Sequence, residues 1–116
     1  MIGKFVWFDV AAGKASEVAE FYARLFDWPT GPAPAGYETW FMDGEQPWAG
    51  VVHAEDASTG RWVPYVQVDD LDAARDRAVE LGATLLHDKQ ASPNGTVVTV
   101  ADPGGAVIML WVPPAN

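Results

Sequence analysis

Two stretches of this chain read alike, and that likeness limits what it can fold into. Phe5-Val6-Trp7-Phe8-Asp9-Val10 lines up on Val63-Pro64-Tyr65-Val66-Gln67-Val68, apolar on apolar, aromatic on aromatic and polar on polar. Each stretch has the β-branched and aromatic make-up of a buried strand. Each is followed by a change to helical period. From Lys14 to Trp28, the residues Val18, Phe21, Tyr22, Leu25 and Phe26 recur at three- and four-residue spacing, with Glu17, Glu20 and Arg24 between them. Ser16 stands where an N-cap is wanted. After Val68, Asp69-Asp70 caps a second helix with the apolar face Leu71, Ala74, Ala78 and Leu81, and Gly82 ends it. The helix ends also align, Phe26-Asp27 on Leu81-Gly82.

Further strands follow each helix. In the first half they are a degenerate one at Trp28 to Pro34, then Tyr37 to Met42 and Trp48 to Ala54, with Asp43-Gly44 as a turn. In the second they are Thr84 to His87, Thr96 to Ala101 and Ala106 to Val112, with turns at Ser92-Pro93-Asn94-Gly95 and Asp102-Pro103-Gly104-Gly105. Ala49-Gly50-Val51-Val52 matches Ala106-Val107-Ile108-Met109. An accidental α+β similarity is the bland alternative, but strand, helix and turn registers agree together. The expectation is one domain of two modules, 1–56 and 61–116, related by a pseudo-twofold, with Glu55 to Gly60 as linker. A half this small cannot bury its own sheet face.

In that order and spacing the chain resembles the vicinal oxygen chelate superfamily, which includes glyoxalase I, bleomycin resistance proteins and extradiol dioxygenases. The residues that carry the resemblance are the strand ending at Val10, Glu20-Phe21-Tyr22, Leu25-Phe26, Tyr65-Val66-Gln67-Val68-Asp69-Asp70, Glu80-Leu81-Gly82-Ala83 and Asp102-Pro103-Gly104-Gly105. It most resembles the glyoxalase-like members of unknown substrate. The resemblance implies two βαβββ modules forming an open, cupped eight-stranded mixed sheet, with sites near a dimer interface.

In metal-dependent members, His, Gln or Glu side chains from the first and last strand of each module converge on the ion. Carried over by the strand registers, those positions fall on Phe5, Val63, Val52 and Met109. A divalent ion needs several oxygen or nitrogen donors at about 2.0–2.6 Å, and none of the four supplies one. The expectation is therefore no metal and no cofactor. His53 lies one residue from a ligand position but lacks companions, and a surface or hydrogen-bonded histidine is the favoured reading. His87, beside Asp88-Lys89, reads as solvated.

Strand parity says what lines the cup instead. Phe5, Trp7 and Asp9 share one face, as do Tyr65 and Gln67, and as do Met109 and Trp111. These seven are the candidate ligand-binding residues: aromatic walls with a few polar handles, as small-molecule pockets have. The alternative is a lyase, isomerase or dioxygenase of the same superfamily, either metal-dependent or using Asp9 as the catalytic base. Plain core packing explains Phe5 about as well. A carboxylate beside Trp7 and Trp111 favours a pocket, because an unpaired charge in a solid core is costly.

Composition narrows the partners. Sixteen acidic residues against seven basic ones give a net charge of −9. Such a surface repels phosphate backbones and anionic lipid, which excludes nucleic acid and membrane surfaces and favours a cationic or aromatic small molecule. Cysteine is absent, so disulfides and thiolate chemistry are excluded. No apolar run approaches the roughly twenty residues of a membrane span. The N-terminus shows no secretory pattern, which gives the expectation of a cytoplasmic protein. Trp40, Trp48 and Trp62 suit a rim or a dimer contact, and a homodimer is expected.

Overall fold

The computed structural model describes residues 2–54 and 60–115. Most of the expected linker therefore lies outside the described residues. Elements follow in the order β1 (Phe5–Ala12), α1 (Ala15–Phe26), β2 (Thr30–Gly31), β3 (Tyr37–Asp43), β4 (Gln46–His53), β5 (Arg61–Gln67), α2 (Leu71–Glu80), β6 (Thr84–Ser92), β7 (Gly95–Ala101) and β8 (Val107–Val112). This is the α+β class, with the strand–helix–three-strand order occurring twice. Two compact units divide the chain: Trp7–Val63, and Met1–Val6 with Pro64–Asn116. The expected modules, 1–56 and 61–116, run continuously along the chain, whereas each of these units takes in a short piece from the other side.

In the first unit the strand order is β2-β3-β4-β1. β1 runs parallel to β4, with Phe8 opposite Ala49 and Val10 opposite Val51, and β3 runs antiparallel to both β2 and β4. Alternation along β1 turns Phe8, Val10 and Ala12 toward α1. There they join Ala15, Phe41, Ala49 and Val51, with Val18, Ala19, Tyr22, Trp28 and Trp48 packed against them. Phe41 and Val51 are fully buried, and burying side chains of this size stabilises by about 1.5–3 kcal/mol each. β2 is two residues long, as Pro29, Pro32 and Pro34 around it dictate.

Helix α1 departs from the expected pattern at two points. It starts at Ala15, with Lys14 at the N-cap and no side-chain cap, so Ser16 lies inside the first turn. Ala15 is buried at the core, and its burial sets the start of the helix in place of a cap. Phe21, Leu25 and Phe26 are each more than half exposed. The stripe that meets the core is narrower than the apolar stripe of the sequence, running through Ala15, Val18, Ala19 and Tyr22. Asp27 ends the helix in the left-handed conformation at φ 55°.

In the second unit the order is β5-β8-β7-β6. β5 pairs parallel to β8, and β8 pairs antiparallel to β7, as does β7 to β6. Leu71, Val98, Val100 and Leu110 form the core, with Val68, Ala74, Ala83, Ile108 and Val112 against it. The edge strand β6 runs to Ser92, longer than expected, and every residue of it is exposed. Polar side chains and two register shifts, which suit an edge, hid its length in the sequence. Arg75 of α2 reaches Asp88 of β6 at 3.0 Å and also contacts Asp72 and Asp76. Hydrogen bonding to Arg75 holds the Asp88 carboxyl below the usual range, and hydrogen bonding to Lys89 does the same for Asp72. Both lowered values mean that these exposed pairs support the fold at neutral pH and lose that support as pH falls through them. No helix among the described residues is long and apolar enough to cross a membrane.

Asp70 caps α2 as expected, accepting from the Ala73 amide at 3.0 Å. Asp70→Ala is predicted to destabilise by about 1 kcal/mol. Urea denaturation should show a lower midpoint with an unchanged slope; an unchanged midpoint would remove the cap from the account.

Candidate functional site

The face of the first unit turned away from α1 carries a buried carboxylate. Asp9 is 6% exposed. Its Oδ1 accepts from the Trp7 indole N–H at 2.7 Å and from the Tyr37 hydroxyl at 2.8 Å. A carboxylate taken from water needs such donors, and hydrogen bonds to an ionised acceptor are the strong kind. Trp7, Tyr37 and Trp40 form a triangle, with ring centroids 5.4, 5.9 and 6.4 Å apart and interplanar angles of 70–81°. That edge-to-face geometry is the favourable one for aromatic pairs. The Trp40 Nε1 atom is buried with no hydrogen-bond partner among the described residues.

The centre of this cluster is a missing side chain. Gly50 of β4 lies opposite Asp9 on one side and Trp40 on the other. A Cβ there would collide with the Tyr37 ring and stand 2.9 Å from Trp40 Cδ1. Glycine is needed here for space, since it lets two rings lie over the strand, where the Tyr37 hydroxyl reaches Asp9 and Trp40 packs on Trp7 and Tyr37. Tyr37 and Trp40 are three residues apart, a spacing that regular alternation places on opposite faces. A register shift between Tyr37 and Thr39 returns them to one face. A second shift, between Phe41 and Met42, leaves Trp48 without a partner on β3, and it packs with Trp28 and Phe41 on the helix side.

The second unit carries the other candidates. Tyr65 lies opposite Met109, and Gln67 opposite Trp111. Ile108, Leu110 and Val112 pack toward α2, so Met109 and Trp111 take the other face, as parity implied. Thr99 Oγ1 donates to the Met109 sulfur at 2.9 Å, and Trp111 Nε1 donates to the Asn94 carbonyl at 2.9 Å. The Trp111 ring runs so close to Gly95, at φ 121°, that no other residue fits there. Phe5 is 57% exposed. Beside it, Gly3 donates to the Gln67 carbonyl at 2.7 Å and the Gln67 amide to Lys4 at 3.3 Å. The structure thus joins Trp7 directly to Asp9, and pairs Tyr65 with Met109 and Gln67 with Trp111. Tyr37, Trp40 and Gly50 complete the cluster around Asp9, and strand parity alone did not find them.

The donor set does not suit a metal. The strand registers also correct the carry-over: Phe8 pairs with Ala49, and its repeat Val66 pairs with Leu110. Ala49 is therefore the counterpart of Leu110, four residues beyond the match made on composition. With either alignment, the side chains beside the first strands are Gly50, Val52, Met109 and Trp111. What they leave is one carboxylate, Asp9, with neutral oxygens from Gln67, Tyr37 and Tyr65. No three His, Cys, Asp or Glu side chains among the described residues are grouped to hold an ion. His53 is exposed, with Nε2 3.6 Å from Glu38, and shares the parity of the core residue Val51; His87 is exposed on β6.

A family model described as a glyoxalase-like domain matches residues 6–111. CFP32 of Mycobacterium bovis and of Mycobacterium tuberculosis, which carries a provisional glyoxylase name, is 30% identical over 114 residues. That match covers 90% of this chain and 44% of the relative, so the chain spans less than half the length of these curated relatives. Among solved structures, the Mn(II)-bound glyoxalase of Novosphingobium aromaticivorans is similar at a TM-score of 0.65 and 15% identity, over 95% of this chain and 38% of that one. A glyoxalase/bleomycin resistance protein/dioxygenase superfamily member from Vibrio splendidus 12B01 is similar at 0.63 and 10%, over 90% and 95%. At these identities the structural likeness shows the fold. The chain belongs to the glyoxalase-like domain family and has the fold of the glyoxalase/bleomycin resistance/dioxygenase superfamily.

The Gly50 vacancy yields a direct test. Gly50→Ala is predicted to destabilise by about 1–3 kcal/mol through overpacking against Tyr37 and Trp40. Chemical denaturation and tryptophan emission should change together; a variant with native stability and spectrum would show that the rings do not depend on the gap.

Proposed function

We propose that this chain binds a small organic molecule, aromatic or cationic, against the Trp7–Tyr37–Trp40 face around Asp9, and that it does so without a metal. The observation that carries this is the buried Asp9 carboxylate, held by Trp7 and Tyr37 among three aromatic rings. A solid core gains nothing from a buried charge. A binding surface gains orientation from the charge and stacking area from the rings. The net charge of −9 favours cations over anions at long range. Tyr65, Gln67, Met109 and Trp111, beside Phe5, form a surface of the same character on the second unit and are the candidates there. The absence of hard donors at Gly50, Val52, Met109 and Trp111, the positions the strand registers set beside the first strands, supports binding without a metal.

A second reading is supported by the same carboxylate and by the glyoxylase name of the curated relatives. In it Asp9 acts as a general base in a lyase, isomerase or dioxygenase, taking a proton from a bound substrate. Either way we propose a homodimer, which the resemblance and the exposed aromatic residues support.

The test is titration with a planar aromatic cation followed by tryptophan fluorescence, after elemental analysis of the purified protein. Wild type should bind, and Asp9→Asn should bind about tenfold more weakly, equivalent to roughly 1.4 kcal/mol. Circular dichroism should show the fold intact. Equal affinities would take Asp9 out of the site, and stoichiometric Zn, Ni, Mn or Fe would overturn binding without a metal.

A further inference from the structure

A hollow of about 540 Å³ lies between the N-terminal half of α1, the end of β1 and the start of β5, a volume within the roughly 300–1,000 Å³ of small-molecule pockets. Its residues all belong to the first unit. The end of β1, from Val10 to Ala12, lines it together with Val18, and Gly13 and Gly60 add no side chain to fill it. Three rings supply an aromatic wall. Tyr22 stands edge to face with Phe21 at 5.0 Å and with Trp62 at 5.2 Å between centroids. The Trp62 indole N–H donates to the Tyr22 hydroxyl at 3.0 Å, which fixes the two rings on their separate elements. Phe21 is 57% exposed and Trp62 36%, so both present ring surface to a ligand.

Charge stands at the same place. Lys14, the N-cap of α1, and Glu17, in its first turn, both line the hollow. Their three-residue spacing sets the two side chains on one face, with Cβ atoms about 5–6 Å apart. Neither makes an ion pair among the described residues, whereas Glu20, further along the helix, holds Arg24 at 3.3 Å.

We propose that this hollow binds a small aromatic zwitterion of the α-amino-acid type, its ring against Phe21, Tyr22 and Trp62, its carboxylate toward Lys14 and its ammonium toward Glu17. The rings of the wall select an aromatic body, which can pack edge to face or stacked on them. The charges select the rest. A carboxylate alone would meet Lys14 but also the field of a chain with net charge −9. A cation alone would meet Glu17 with the Lys14 ammonium beside it. A zwitterion carries no net charge and answers both groups, because its two charges sit on one carbon within reach of both side chains. The site is separate from the Asp9 face and stands or falls without it.

The probe is L-phenylalanine, which has no indole of its own. In a ¹H–¹⁵N correlation spectrum it should move the Trp62 indole signal, assigned with Trp62→Phe, and saturate with a Kd on the order of 1 mM. Phenethylamine and phenylpropionate each lack one of the two charges and should bind there about fivefold more weakly. Lys14→Gln should weaken phenylalanine about fivefold and leave phenethylamine unchanged. Glu17→Gln should weaken phenylalanine by a similar factor and leave phenylpropionate unchanged. Wild type alone decides the ligand class: equal affinity for the three probes would overturn the zwitterion, and no saturable movement of Trp62 would overturn the site. Variants that lowered all three affinities alike would overturn the roles of Lys14 and Glu17. Movement of Trp7 without Trp62 would put the probe on the Asp9 face, overturning this site and leaving that reading intact.

Discussion

The first unit is organised around an absence. Gly50 has no side chain, so the rings of Tyr37 and Trp40 can lie across β4 and meet Trp7 over Asp9. The carboxylate then receives two donors from rings that are themselves packed edge to face. Remove the space and the rings must leave; remove the rings and the carboxylate loses the donors that make its burial tolerable. The opposite face of the same strands is a conventional core, where Phe8, Val10, Phe41, Ala49 and Val51 pack beneath α1. One sheet therefore holds two chemistries, and alternation along β1 separates them residue by residue.

Much of this was legible in the chain. The aligned strands and helix ends implied the doubled strand–helix–three-strand order, because periodicity and turn residues are local signals. Parity along β1 placed Trp7 with Asp9, and parity along β8 placed Met109 with Trp111, since both strands run without interruption. Tyr37 was not legible as a partner of Asp9, nor Trp40 as a neighbour of Trp7 and Tyr37. Their register shift is made by pairing with β4, and no residue type announces it.

The last strands show the same limit. Ala49-Gly50-Val51-Val52 matches Ala106-Val107-Ile108-Met109 in composition, but hydrogen bonding makes Leu110 the counterpart of Ala49. Small apolar residues repeat too freely to mark a register. In α1, Ser16 had the right chemistry for a cap, but the buried Ala15 set the helix start. Its apolar stripe was read as one core-facing surface. Tertiary packing used one side of it and left Phe21, Leu25 and Phe26 in solvent, a distinction that periodicity cannot make.

The six tryptophans allow the central claim, that ligand binds on the Asp9 face, to be read in one spectrum. Trp7 and Trp40 stand on that face, whereas Trp28 and Trp48 pack on the helix side. In a ¹H–¹⁵N correlation spectrum of the indole N–H groups, a planar aromatic cation should move the Trp7 and Trp40 signals progressively and leave those of Trp28 and Trp48 in place. Movement confined to Trp28, Trp48 or Trp62, or no movement on the Asp9 face while ligand binds, would contradict it.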